Sequence, residues 1–84
     1  MANKTVKVGS GVGLHARPAA LIAAAAANFN EDITISMDGT SVDAASSLLI
    51  MTLGAEKGAE VSIESENAEA VELISSMVAE NLDS

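Results

Sequence analysis

Apolar and polar positions along this chain follow two different periods, and the switches between them outline the elements. Lys4 to Val8 reads as a short strand with Val6 and Val8 on one face. After the glycine-rich stretch Gly9 to Gly13, the run of Ala, Leu and Ile from about Arg17 to Asn28 has the length and composition of a helix. Its tract Ala23 to Ala27 suits packing, because alanine is the best helix former and lets a helix approach a sheet closely. Ile33, Ile35 and Met37 alternate with Thr34 and Ser36, which predicts a strand over Asp32 to Met37. Asp38-Gly39 then gives a tight hairpin turn into Thr40 to Val42.

Three further elements follow in the second half. Ser46 or Ser47 can cap a short apolar helix that Gly54 ends. Glu60 to Glu64, with Val61 and Ile63 pointing one way, is a fourth strand. Asn67 can cap a last helix in which Val71, Ile74, Met77 or Val78, and Leu82 recur at helical spacing. The order β-α-β-β-α-β-α predicts an α+β domain in which helices cover one face of a four-stranded sheet.

Composition narrows the class of function. The 84 residues make one domain, 1–84, small enough to bury only around 60% of its unfolded surface. Without cysteine there is neither a disulfide framework nor a thiolate metal site. No apolar run approaches the roughly 20 residues of a membrane span, and Met1-Ala2-Asn3-Lys4 opens no signal-peptide core, so a cytoplasmic domain without membrane insertion is expected. Four basic residues stand against twelve acidic ones, a net charge of −8, and Phe29 is the single aromatic. Nucleic acid is therefore an improbable partner: neither a basic footprint nor a stacking platform exists. The acidic excess itself is read first as a device for solubility.

Chemistry concentrates in Gly13-Leu14-His15-Ala16-Arg17-Pro18-Ala19-Ala20, which sets the chain's one histidine beside an arginine at a predicted helix start. A lone histidine is more often a surface or capping residue than a nucleophile, but its neighbours here favour function. A helix N-terminus offers unpartnered backbone N–H groups and the positive end of the macrodipole to an anion. His15 can attack phosphorus, and Arg17 presents a planar fork of donors to phosphoryl oxygens. Pro18 suits the first turn, where its missing N–H costs nothing. Gly9, Gly11 and Gly13 let the backbone turn sharply and let a bulky partner come close.

A competing motif lies in the same stretch. Gly11-Val12-Gly13-Leu14-His15-Ala16 fits the dinucleotide pattern G-x-G-x-x-A between a strand and a helix. The acidic residue due about 20 positions further on would have to be Glu31, Asp32 or Asp38, none well placed. The Asp-Gly hairpin after the second strand also stands where a parallel sheet needs a crossover. Nucleotide binding is rejected on these grounds.

These residues resemble HPr, the histidine-containing phosphocarriers of the bacterial sugar phosphotransferase system. Gly13 to Ala19 is similar to the family's active-site signature, and Ser46 with Leu48, Leu49, Met51, Leu53 and Gly54 is similar to its serine-centred signature. The resemblance covers nearly the whole chain. It implies an open-faced sandwich, an antiparallel sheet with three helices packed on one side. It further implies that His15 accepts a phosphoryl group on its δ1 nitrogen from enzyme I, which is charged from phosphoenolpyruvate, and passes it to sugar-specific enzyme IIA domains. Arg17 would stabilise the phosphoryl oxygens, and no metal or organic cofactor is implied. The carrier would be a monomer that relays a group rather than an independent turnover enzyme. In some relatives a serine at the place of Ser46 is phosphorylated by a dedicated kinase; capping by Ser46 or by Ser47 is the plainer reading of these hydroxyls.

Departures from the family pattern bear on partners. Many relatives carry lysines on the first helix and near the second, where this chain has Ala24, Ala27, Ala45 and Leu49. Docking is therefore expected to lean on apolar residues such as Ala20, Leu48 and Met51. Leu48, Leu49 and Met51 are not expected all to face outward from one short helix. A second class of function stays open at this point, a regulatory or nitrogen-branch paralogue whose phosphorylation state is read by an interaction partner, although His15 and Arg17 favour a carrier in either case.

Overall fold

A computed structural model describes residues 2–80. Strand β1 (Ala2–Lys7) leads through a loop to α1 (Ala16–Ala26). The hairpin β2 (Ile33–Met37) and β3 (Thr40–Asp43) follows, then α2 (Ser47–Thr52), β4 (Glu60–Ser65) and α3 (Ala68–Ala79). The sheet order is β1-β4-β2-β3 and every pairing is antiparallel, which is the α+β open-faced sandwich expected from the sequence. No helix among the described residues is long and apolar enough to cross a membrane.

Each element has a local cause. At the hairpin, Asp38 and Gly39 take φ of 51° and 84°, the paired left-handed values of a type I′ turn whose twist matches the flanking strands. Asn67 Oδ1 accepts from the N–H groups of Glu69 (2.9 Å) and Ala70 (3.2 Å), satisfying two donors that the first turn of α3 leaves free. Asn67 Nδ2 meanwhile donates to Glu31 Oε1 at 3.0 Å, tying this cap to the loop before β2. Helix α1 stops two residues before its expected end at Asn28, because Asn28 and Phe29 donate to Ala25 and Ala26 and the last turn tightens to three-residue spacing. The first strand begins two residues earlier than expected, at Ala2. Leu82 lies outside the described residues.

Period-two alternation divides the sheet into a dry and a wet face. Ile35, Val61 and Ile63 face the helices and are buried. On the other face Thr5, Ser62, Ser36 and Ser41 stand in one register, with hydroxyl pairs Thr5–Ser62 at 2.9 Å and Ser36–Ser41 at 2.6 Å. Ile22 from α1, Ile50 from α2 and Ile74 and Val78 from α3 close the core over the sheet, each fully buried and each contributing about 1.5–3 kcal/mol of transfer free energy. Ala19, Ala23 and Ala26 are buried on the inward side of α1, but the helix packs closely on α2 and α3 rather than on the sheet, and Ala24 and Ala27 are exposed, so the alanine tract does not serve the close approach to the sheet expected of it. Among the described residues, Ser75 Oγ, on the inner side of α3, is buried without a hydrogen-bond partner.

Candidate functional site

The loop from Val8 to His15 is held by backbone contacts from two distant segments. Gly9 N–H donates to Val78 O at the end of α3 (3.0 Å), and Leu14 N–H donates to Ala55 O just beyond α2 (2.9 Å). A turn in which Ala59 N–H donates to Glu56 O lies alongside, pinned by Gly58 N–H to Val8 O and Val8 N–H to Ala59 O, all at 2.9 Å. Leu14 buries its side chain beneath the loop.

Gly9 and Gly13 are needed because the chain approaches itself at both positions. A Cβ on Gly9 would lie 2.0 Å from Ala79 O, and one on Gly13, at φ +78°, would lie 2.4 Å from Ala55 O. Gly11 meets nothing within 4 Å.

This anchored loop delivers His15 as the N-cap of α1, with extended φ and ψ of −85° and −165°. Its carbonyl accepts from Ala19 N–H at 2.9 Å, while its side chain makes no capping hydrogen bond and is exposed. The ring is thus left available. Ala16 and Arg17 are the first helical residues and Pro18 has no N–H, so the helix start turns two backbone donors outward beside the imidazole. Arg17 is exposed next to them, and Pro18 is buried in the first turn as its fixed φ suits. An exposed imidazole, two amide donors and an exposed guanidinium on consecutive residues have the chemistry to hold a tetrahedral dianion.

The remaining candidates sit on α1 and α2, which pack against each other. Ser46, not Ser47, caps α2: its Oγ accepts from Leu49 N–H at 3.2 Å. Ala20 is exposed on α1. Contrary to expectation, Leu48, Leu49 and Met51 all face solvent, at 69%, 41% and 37% exposure. A six-residue helix at the rim of the layer needs only a narrow inward stripe, and Ile50 with Leu53, three apart, supplies it. The sequence reading also missed the turn at 55–59 as the partner of the histidine loop, although Gly54 just before it and Gly58 within it were a usable signal. Lys57, far from His15 in sequence, belongs to that turn.

The comparisons agree with this geometry. A family model described as the PTS HPr component phosphorylation site matches residues 2–80. The phosphocarrier protein HPr of Streptomyces coelicolor is 44% identical over 99% of this chain and 94% of its own length. A crystal structure of the phosphocarrier protein HPr from Bacillus anthracis superposes with a TM-score of 0.87 at 39% identity, covering 92% of this chain and 95% of that one. An HPr dimer from Thermoanaerobacter tengcongensis is also similar, with a TM-score of 0.70 at 33% identity and 93% of each chain covered. These matches favour a phosphocarrier over a regulatory paralogue, and the chain belongs to the HPr family of phosphocarriers of the phosphotransferase system.

Proposed function

We propose that His15 is the phosphoryl acceptor and that the chain relays the group between two proteins, from enzyme I charged by phosphoenolpyruvate to enzyme IIA domains. The observation that carries this reading is the free, exposed imidazole standing at the N-cap of α1 with the Ala16 and Arg17 amides beside it. Neutral His15 attacks phosphorus through its δ1 nitrogen; the N–P bond forms as the bond from phosphorus to the donor breaks, and the reverse sequence discharges the group to the acceptor. Arg17 and the two amides hold the oxygens while charge spreads over them, so positioning and electrostatics supply the catalysis and no deep cleft is required. The carrier acts as a cytoplasmic monomer that docks through Ala20, Leu48 and Met51.

Ser46 is a second position for phosphate in this reading. Its half-buried hydroxyl opens α2 inside the docking face, so a kinase-added dianion would repel an incoming phosphoryl group and would have to be desolvated against whatever covers Leu48 and Met51. Incubation with enzyme I and labelled phosphoenolpyruvate tests the central assignment. The expected product carries one acid-labile, alkali-stable phosphate, absent from His15→Ala; label that persists in this variant removes the histidine from its role.

A further inference from the structure

Gly9 meets α3 at its last turn. Its N–H donates to Val78 O at 3.0 Å, and it sits so close to the helix that a Cβ would lie 2.0 Å from Ala79 O and 2.7 Å from the Ala79 carbonyl carbon. Gly9 is not among the glycines with positive φ, so packing alone excludes a side chain there. The benefit runs both ways. A helix leaves its last carbonyls without partners, and here Val78 O is satisfied by a loop from the other end of the chain. Three features weaken that turn otherwise: it contains no basic residue, its C-cap is Glu80, a carboxylate where the macrodipole favours a cation, and Ser75 Oγ just before it is buried with no partner among the described residues.

From Gly9 the backbone reaches His15 through a closed circuit of hydrogen bonds. Gly13 N–H donates to Ser10 O at 3.0 Å, folding 10–13 into one turn with Ser10 buried. Leu14 then bonds to Ala55, and the turn at 55–59 returns to Val8 through the bonds of Ala59 and Gly58. Val8 adjoins Gly9 and Leu14 adjoins His15, so a shift imposed at Gly9 meets a tether in either direction along the chain. We infer that the last turn of α3 is a positioning element for phosphoryl transfer at His15, acting through Gly9. It sets where the imidazole and the Ala16 and Arg17 amides stand and leaves their chemistry unchanged. This rests on the proposed role of His15, since position matters to transfer only if that residue takes the group.

Gly9→Ala, Ala79→Gly and the double variant are compared with wild type in the full chain, by transfer from enzyme I and by NMR of the His15 ring. The alanine Cβ in Gly9→Ala must part loop and helix by about 1 Å to reach ordinary contact. Misplacement of that order should lower the kcat of enzyme I on this chain at least about tenfold and move the His15 ring signals. KM should stay within about twofold, because Leu48 and Met51 are untouched. Ala79→Gly alone loosens the last turn, so the Gly9 amide should exchange with solvent about fivefold faster and the ring signals should shift slightly, while Leu14 N–H, held by Ala55, keeps its protection. In the double variant the loosened turn gives way to the Cβ, and kcat should recover to within about threefold of Ala79→Gly alone.

Recovery of this kind separates position from stability, because two destabilising changes otherwise compound. Asn67→Ala, at the opposite end of α3, serves as the control: it weakens the helix and should leave kcat and the ring signals as in wild type. Wild-type transfer by Gly9→Ala, a loss confined to KM, or a double variant no better than Gly9→Ala overturns the inference. If Gly9→Ala does not fold, Ala79→Gly decides alone, and an unchanged Gly9 amide or unmoved ring signals overturn it. The ring is read without phosphoryl transfer, so a wild-type His15 that takes no label strikes the functional reading, whereas ring signals indifferent to Gly9 and Ala79 strike the positioning role itself.

Discussion

Replacing Gly13 by alanine should loosen the histidine loop from beneath, and the structure sets the size of the effect. At φ +78° an L-residue costs about 1–2 kcal/mol, partly offset by the stiffer unfolded chain. The new Cβ would also lie 2.4 Å from Ala55 O and 2.8 Å from Glu56 Cα, and both are backbone atoms that cannot rotate away. Ordinary contact begins near 3.4 Å, so the two segments must part by a large fraction of an ångström, and the 2.9 Å bond from Leu14 N–H to Ala55 O is lost or strained. That bond contributes about 1 kcal/mol. The sum is about 2–3 kcal/mol of stability, or roughly 8–24 °C in Tm for a domain of this size. Because Leu14 precedes His15, misplacement on this scale should also slow phosphoryl transfer by about tenfold to a hundredfold. Thermal unfolding and single-turnover transfer are to be measured beside Gly11→Ala, which meets open space and should match wild type in both. A Gly13→Ala protein that melts within about 3 °C of wild type would refute the argument that backbone packing on Ala55 builds the site.

Other variants probe the cap, the core and the docking face. Asn67→Ala removes two bonds to the first turn of α3 and one to Glu31, so chemical denaturation should show a loss of about 1–2 kcal/mol without a change in transfer at permissive temperature. Ser75→Ala should stabilise the domain by about 1 kcal/mol, because it removes a buried hydroxyl that has no partner; a destabilised variant would show that Oγ is bonded after all. Leu48→Glu and Met51→Glu should each melt like wild type, since both positions face solvent, yet slow transfer from enzyme I by more than about tenfold. Raising the salt to 0.5 M should slow wild type far less than that, and the reverse ranking would make docking electrostatic.

Elements whose cause is local were legible from the chain. The alternation Ile33-Thr34-Ile35 can be satisfied only by a strand with one wet face, and the Asp38-Gly39 turn fixes both its end and its pairing with Thr40 to Val42. Asn67 was legible as a cap for the same reason, since its partners are two and three residues away. Boundaries set by long-range bonding were not. The start of β1 at Ala2 depends on its pairing with Ser65, sixty-three positions on, and nothing near Ala2 announces it.

The histidine loop divides along the same line. That His15 stands at a helix start follows from the Pro18 and alanine run beside it, so the nucleophile and its arginine could be named without a structure. What holds them in place could not, because Gly9 and Gly13 are required by carbonyl groups at Ala79 and Ala55, which arrive through tertiary folding. Gly11 shows why composition misleads here: it is the same residue type in the same loop, yet a Cβ on it would meet nothing within 4 Å. The exposure of α2 is a related case. Period alone assigns Leu48, Leu49 and Met51 to two sides of a helix, but how many sides are covered depends on what packs around it, and Ile50 with Leu53 is enough to hold a helix of six residues at the edge of the layer. An apolar side chain left outside for this reason costs the fold little and gives a partner something to bury, so the exposed flank of α2 is where binding energy can be gained without charge.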